Sequence, residues 1–138
     1  MNASAELEDL SDEECRALLS GHTFGRLAFV SDGGPMVIPV NYGFDGRSVV
    51  IRTAPGTKLH EAPMTAAAFE IDDAAPDGAW GWSVLARGLA FDITDTLDEH
   101  SELLRKIPVV PWAPGDNTHW LMLTVSTVSG RRFGSPRG

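Results

Sequence analysis

One stretch of this chain gathers most of its chemistry: Ile51-Arg52-Thr53-Ala54-Pro55-Gly56-Thr57-Lys58-Leu59. It reads as a strand, a Pro-Gly turn and a helix start. The guanidinium of Arg52 and the ammonium of Lys58 supply charge, and the hydroxyls of Thr53 and Thr57 add neutral donors. Free N–H groups of a helix beginning near Thr57 would point the same way, at the positive end of its dipole. Gly56 lets the backbone approach a guest closely. A phosphate suits that donor set. The plainer reading is a turn that carries a solvated Arg and Lys.

Two further stretches carry less by themselves. In Ile38-Pro39-Val40-Asn41-Tyr42 the backbone N–H groups of a strand could address the edge of a flat heterocycle, and the Asn41 amide both donates and accepts. In Gly81-Trp82-Ser83-Val84-Leu85-Ala86-Arg87-Gly88 an aromatic ring beside a hydroxyl could line a pocket. A core aromatic with a surface arginine explains the same letters. Other chemistries are excluded by spacing. His22, His60, His100 and His119 never recur at metal-ligand intervals, and the single Cys15 stands far from all of them. No nucleophile elbow, Walker motif or dinucleotide glycine motif is present. The pair Asp72-Asp73 reads as a solvated strand end.

The elements that must position these residues follow from periodicity. Leu7, Leu10, Cys15, Leu18 and Leu19 recur near helical spacing, and Ser11 with Glu14 forms a capping-box signature, so a helix is expected from Ser11 to Gly21. Beyond Gly21 the period falls to two. Strands are expected over 25–31, 36–42 and 48–53, with turns at Asp32-Gly33-Gly34-Pro35 and Phe44-Asp45-Gly46-Arg47, which suggests a three-stranded meander. A short helix over 57–62 precedes a strand over 65–72 and a long strand over 80–94, in which Gly88 marks a bulge. A helix over 97–107, started by Asp95 or Thr96, leads to a Pro-rich loop over 108–117 that carries Trp112. The last strand is expected over 119–129. Six antiparallel strands with two or three short helices close most simply as a small, mostly β (α+β) barrel.

Composition narrows the partners. Eleven Lys and Arg against 19 Asp and Glu leave a net charge of -8 over 138 residues, a field that repels nucleic acid and anionic membranes. Residues 1–14 hold six acids and no base, unlike a secretory or transit leader, and one cysteine suits the cytoplasm. Residues 1–138 are expected to form one domain, with a flexible start over 1–10 and a tail over 134–138.

Five stretches in order carry a resemblance: Phe24-Gly25-Arg26-Leu27-Ala28; Pro39-Val40-Asn41-Tyr42; Ile51-Arg52-Thr53 with Gly56-Thr57-Lys58-Leu59; Gly81-Trp82-Ser83-Val84 leading to Arg87-Gly88; and Ser129-Gly130-Arg131-Arg132. Together they resemble the FMN-binding split-barrel superfamily, nearest to the pyridoxamine 5'-phosphate oxidase-like proteins. The resemblance implies a six-stranded antiparallel split β-barrel, a homodimer with cofactor at the interface, and a flavin oxidoreductase that passes hydride to a small-molecule substrate. It implies that Pro39, Val40, Asn41 and Tyr42 lie along the isoalloxazine of FMN. Arg52, Thr53, Thr57, Lys58 and Leu59 would surround the ribityl phosphate. Trp82 and Ser83 would come from the neighbouring subunit, with Arg131 also at the cofactor. The Arg, Lys, Tyr and Ser set with which the true oxidases hold their substrate phosphate is absent, so vitamin synthesis is not implied. A deazaflavin in place of FMN, or a flavin- or haem-binding module without turnover, stands as the alternative.

Overall fold

A strand hidden inside a barrel needs apolar residues on one face and tolerates polar ones on the other, and that alternation organises this chain. The computed structural model describes residues 6–54 and 64–134. Thr57, Lys58, Leu59 and His60, with the helix expected over 57–62, lie outside the described residues. The elements in order are β1 (Glu8–Asp9), α1 (Asp12–Ser20), β2 (Phe24–Ser31), β3 (Gly34–Asn41), β4 (Gly43–Phe44), β5 (Ser48–Thr53), β6 (Thr65–Ala74), β7 (Gly81–Asp92), α2 (Glu99–Leu104) and β8 (His119–Phe133).

The first helix forms as its caps dictate. Ser11 Oγ accepts the Glu14 N–H at 3.1 Å, and Glu14 Oε1 accepts the Ser11 N–H at 3.1 Å. Gly21 closes the helix by donating to Ala17 O and Leu18 O. The helix buries Cys15 and Leu19, and the Cys15 thiol lies under β8 with no exposed surface. A Cβ on Gly130 would stand 3.0 Å from its sulfur.

All strands pair antiparallel in one curled sheet of order β3-β2-β6-β7-β8-β5-β4, with β1 added to β8. Among the described residues six long strands make the mostly β split barrel that the sequence predicts, and two helices accompany it. The meander does not form. β2 and β3 make a hairpin through Asp32 and Gly33, both at positive φ, but β5 pairs with β8 and the short β4. The chain leaves the hairpin at Tyr42. Its side chain turns into the core, its hydroxyl donates to Leu19 O at 2.6 Å, and its N–H goes to Thr23 O. The split in the barrel therefore lies between β3 and β5.

Two glycines allow the curl. A Cβ on Gly25 would stand 2.5 Å from the Phe69 ring, and one on Gly88 would overlap the Thr124 carbonyl. Gly88 sits at the register shift between Arg87 and Gly88, the bulge expected from sequence. The main core packs Leu27, Val49, Ile51, Phe69, Ile71, Val84, Leu121 and Leu123, with Tyr42 edge-on to Phe69 at 4.6 Å. Each such side chain contributes about 1.5–3 kcal/mol by leaving water. A second cluster, Val50, Ile93, Leu104 and Val109, lies on the other face of β5 beneath α2.

Two other boundaries differ from expectation. The helix read over 97–107 is only Glu99–Leu104, because Asp98, not Asp95 or Thr96, caps it through Ser101 N at 3.2 Å. It ends in a tight turn, with Ile107 N bonding to Leu104 O just ahead of Pro108. The last strand runs past Ser129 to Phe133. Gly130 interrupts the strand pattern in sequence, yet in space it makes room for Leu10 and Cys15.

Candidate functional site

The residues singled out in sequence fall into two groups. The first forms where β5 ends. Val49, Ile51 and Thr53 face the core by alternation, so Val50 and Arg52 face out. The Arg52 guanidinium lies over the Trp120 ring at 5.2 Å and donates through one terminal nitrogen to Asn117 O at 3.2 Å. Its Nε is buried and has no partner among the described residues. An orphaned buried donor costs about 1–3 kcal/mol, more when charged, so this one is poised for an acceptor. Thr53 is buried beside it.

The end of β3 joins this group across the split. Gly43 pairs with Val50 and Phe44 with Val49; continuing that register sets Asn41 opposite Arg52, and β3 does come into contact with β5. Asn41 is half-buried, and its amide has no hydrogen bond among the described residues. Pro39 is exposed on the same outer face. Val40 and Tyr42 are core side chains, Val40 is paired with Gly25, and the Tyr42 N–H is taken by Thr23 O, so neither offers a side chain to a guest. Burial holds the Tyr42 phenol well above its ordinary range. Thr57, Lys58 and Leu59, which would complete the group, lie outside the described residues.

The second group, Trp82, Ser83 and Arg131, lines one open groove of about 230 Å³ together with Asp72, Leu7 and Phe133. Ser83 and Arg131 are register partners. Arg131 has no ion-pair partner among the described residues. Its neighbour Arg132 points away and is held by Glu8 at 3.4 Å and Glu14 at 3.1 Å. The His22 ring rests on Trp82 at 4.9 Å, with its Nδ1 bonded to Leu18 O at 2.7 Å.

Along β8 Arg52 and the Trp82–Ser83 pair stand apart, while on the other side of the sheet the His22 contact with Trp82 and the Tyr42 N–H bond to Thr23 O bring the end of β3 towards the second group. Arg52 is paired with Trp120, and Ser83 with Arg131. Eleven residues of β8 separate these partners, on the order of 35 Å of strand.

Two clusters escaped the sequence reading. On the outer face between the groups, Arg26 donates to Glu70 at 3.1 Å and to Asp72 at 3.2 Å. Burial, then the adjoining Asp72, pushes Glu70 up to about 7, against the pull of Arg26. Beyond β5, His119 Nδ1 bonds to Asp92 at 2.9 Å, and Thr94 Oγ1 donates to the same carboxylate at 2.5 Å. His119 is the register partner of Thr53. These members are 44 and 27 positions apart, so only the strand register reveals them. Among the described residues no set of His, Cys, Asp or Glu is placed to hold a metal ion, and no helix is long and apolar enough to cross a membrane.

Comparison with known proteins decides the lineage. The family described as pyridoxamine 5'-phosphate oxidase matches residues 11–132. This chain belongs to the pyridoxamine 5'-phosphate oxidase family. The resemblance read from the five stretches is thus confirmed. A protein of similar sequence is an uncharacterized protein of Mycobacterium tuberculosis, 34% identical over 100 residues, or 67% of this chain and 65% of that protein. The chain thus spans about two thirds of the length of that relative. Among solved structures, an FAD binding protein from Mycobacterium smegmatis is 32% identical with a TM-score of 0.73, covering 92% of this chain and 98% of that one. An FAD and haem binding protein from the same organism shares the fold at 20% identity and a TM-score of 0.67, over 94% of this chain and 76% of that one.

Proposed function

We propose that this protein binds a flavin nucleotide and works as a flavin-dependent oxidoreductase in a homodimer. The observation that carries the proposal is the Arg52 guanidinium, fixed by Trp120 and Asn117 with its buried Nε left for an acceptor. A flavin phosphate meets that need, and the solved relative at 32% identity is an FAD binding protein. FAD is accordingly favoured over the FMN expected from sequence, with a deazaflavin as the remaining alternative. When bound, the flavin supplies hydride or electron transfer. The chain supplies the rest. Arg52 neutralises and orients the phosphate, and the Asn41 amide offers a donor and an acceptor to the ring edge.

The second group then belongs to the other subunit's site. Trp82 and Ser83 stand 11 positions along β8 from the register partner of Arg52, and a two-fold dimer would use both groups twice. The outer sheet face suits such contact. Val30 is 65% exposed, Val37 61% and Leu89 39%. Between them the strands present Ala28, Ala66 and Ala68, side chains small enough for close sheet-to-sheet approach.

The direct test is the absorption spectrum and mass of the small molecule that co-purifies, followed by titration with FAD, FMN, a deazaflavin and haemin. Flavin uptake with reduction by NAD(P)H or a reduced deazaflavin is the expected result. Uptake without reduction leaves a binding module, and a colourless protein that takes up none of the four removes the reading.

A further inference from the structure

A second cavity, of about 450 Å³, opens at the opposite end of β5 from Arg52. Three basic side chains from three elements surround it: Arg16 of α1, Arg47 at the foot of β5 and His100 of α2. In a chain of net charge -8 this is a local reversal of sign. Arg16 spends one donor on Gly46 O at 2.8 Å and keeps the others. Arg47 is exposed, and its guanidinium has no partner among the described residues. The acid nearby, Asp45, is already engaged: it accepts the backbone N–H groups of Arg47 and Ser48 at 2.9 and 2.7 Å, and its second oxygen meets His100 Nε2 at 3.0 Å. Those bonds draw the carboxyl below its ordinary range, against the opposing cost of burial.

Ser48 supplies an independent observation. It lines the same cavity, is 1% exposed, and its Oγ has no hydrogen-bond partner among the described residues. Alternation along β5 turns it to the outer face, where its register partner Thr124 also lines the cavity. A hydroxyl kept there at the position of a core residue is a cost unless something answers it.

We propose that this cavity is a binding site for a small oxyanion, a phosphate or carboxylate group, gripped by Arg16 and Arg47 with the Ser48 hydroxyl at its floor. It is separate from the flavin phosphate position, since Ser48 and Arg52 stand at opposite ends of β5. A guest there would tie α1, the β4–β5 turn and α2 together, and these are otherwise joined at this point by the Arg16–Gly46 and His100–Asp45 bonds.

The test uses the full-length protein saturated with its flavin, so that the Arg52 position is filled. Inorganic phosphate and malonate are titrated separately at constant ionic strength, followed by amide chemical shifts and by melting temperature. The expected result is saturable shifts at Ser48, Arg47 and Arg16, a dissociation constant on the order of 1 mM for the preferred anion, and a rise in melting temperature. Arg47→Gln, a surface change, should weaken binding roughly tenfold, and Ser48→Ala about threefold. Preference for one probe over the other tells phosphate from carboxylate. The proposal is overturned if neither anion shifts these amides at about 20 mM, a level that would reveal even millimolar binding. It is overturned equally if both variants bind as the parent does. A Ser48→Ala protein that melts higher while the parent gains nothing from either anion would mark the hydroxyl as a packing defect.

Discussion

The two ends of β8 handle an arginine in opposite ways. Near Trp120, Arg52 is half-buried, covered by a ring and held by a loop carbonyl, with one buried donor unanswered among the described residues. Near Phe133, Arg131 is exposed on the lip of an aromatic groove, and the acids of the N-terminal segment bind its neighbour Arg132 instead. A fixed cation with a missing partner selects a charged group and sets its position, because no side-chain freedom is lost on binding. An exposed cation beside Trp82 can adapt to what lies over the ring. On the proposed reading the first region anchors and the second covers, and that division is open to experiment.

Removing the anchor should have the largest effect. Arg52→Ala is expected to weaken flavin affinity on the order of 100-fold, measured by fluorescence titration. A loss under threefold would take Arg52 out of the site. Next comes the claim that the two regions meet only between subunits. Arg52→Ala and Trp82→Ala proteins should each bind poorly alone. After subunit exchange, about one quarter of the sites should regain full affinity, because each mixed dimer rebuilds one intact site. No recovery despite proven exchange would place both groups in one chain's site or neither in any. Trp82→Ala itself should cost roughly tenfold, through lost ring contact alone.

The smallest expected effect lies on the strip between the regions. Glu70 in the folded chain titrates near 7, above its ordinary 4.5, chiefly because it is buried. The folded state therefore holds the proton longer than the unfolded chain. Stability falls as pH rises between those values, and the loss is complete above the higher one. Glu70→Gln removes this dependence. Its melting temperature should gain on the parent by on the order of 2 °C between about pH 5 and about pH 8. A constant difference would mean that Arg26 keeps Glu70 ionised throughout.

Local signals in the sequence were reliable where one element contains the whole cause. Ser11 and Glu14 cap α1 three residues apart, and Gly88 marks its own bulge. Strand order was not readable, because the alternation of β5 is the same whether it pairs with β3 or β8. The burial of Tyr42, which redirects the chain, depends on Leu19 and Phe69 from distant elements. Asp98 took the cap that Asp95 and Thr96 also offered, a choice among neighbours that packing settles. At the site, Arg52 could be read as a strand-end cation. Its orphaned Nε and the Arg26–Glu70–Asp72 cluster exist only once strands far apart in sequence are in register.

The burial of Cys15 has a practical consequence. Its thiol has no exposed surface beneath Gly130, and burial also raises its pKa, so little thiolate is available to an oxidant or a disulfide reagent. Labelling of this single thiol then waits for α1 to lift from β8. Its rate in native buffer becomes a clock for that undocking, and comparison with the rate of global unfolding tells whether the helix opens alone or only with the whole barrel.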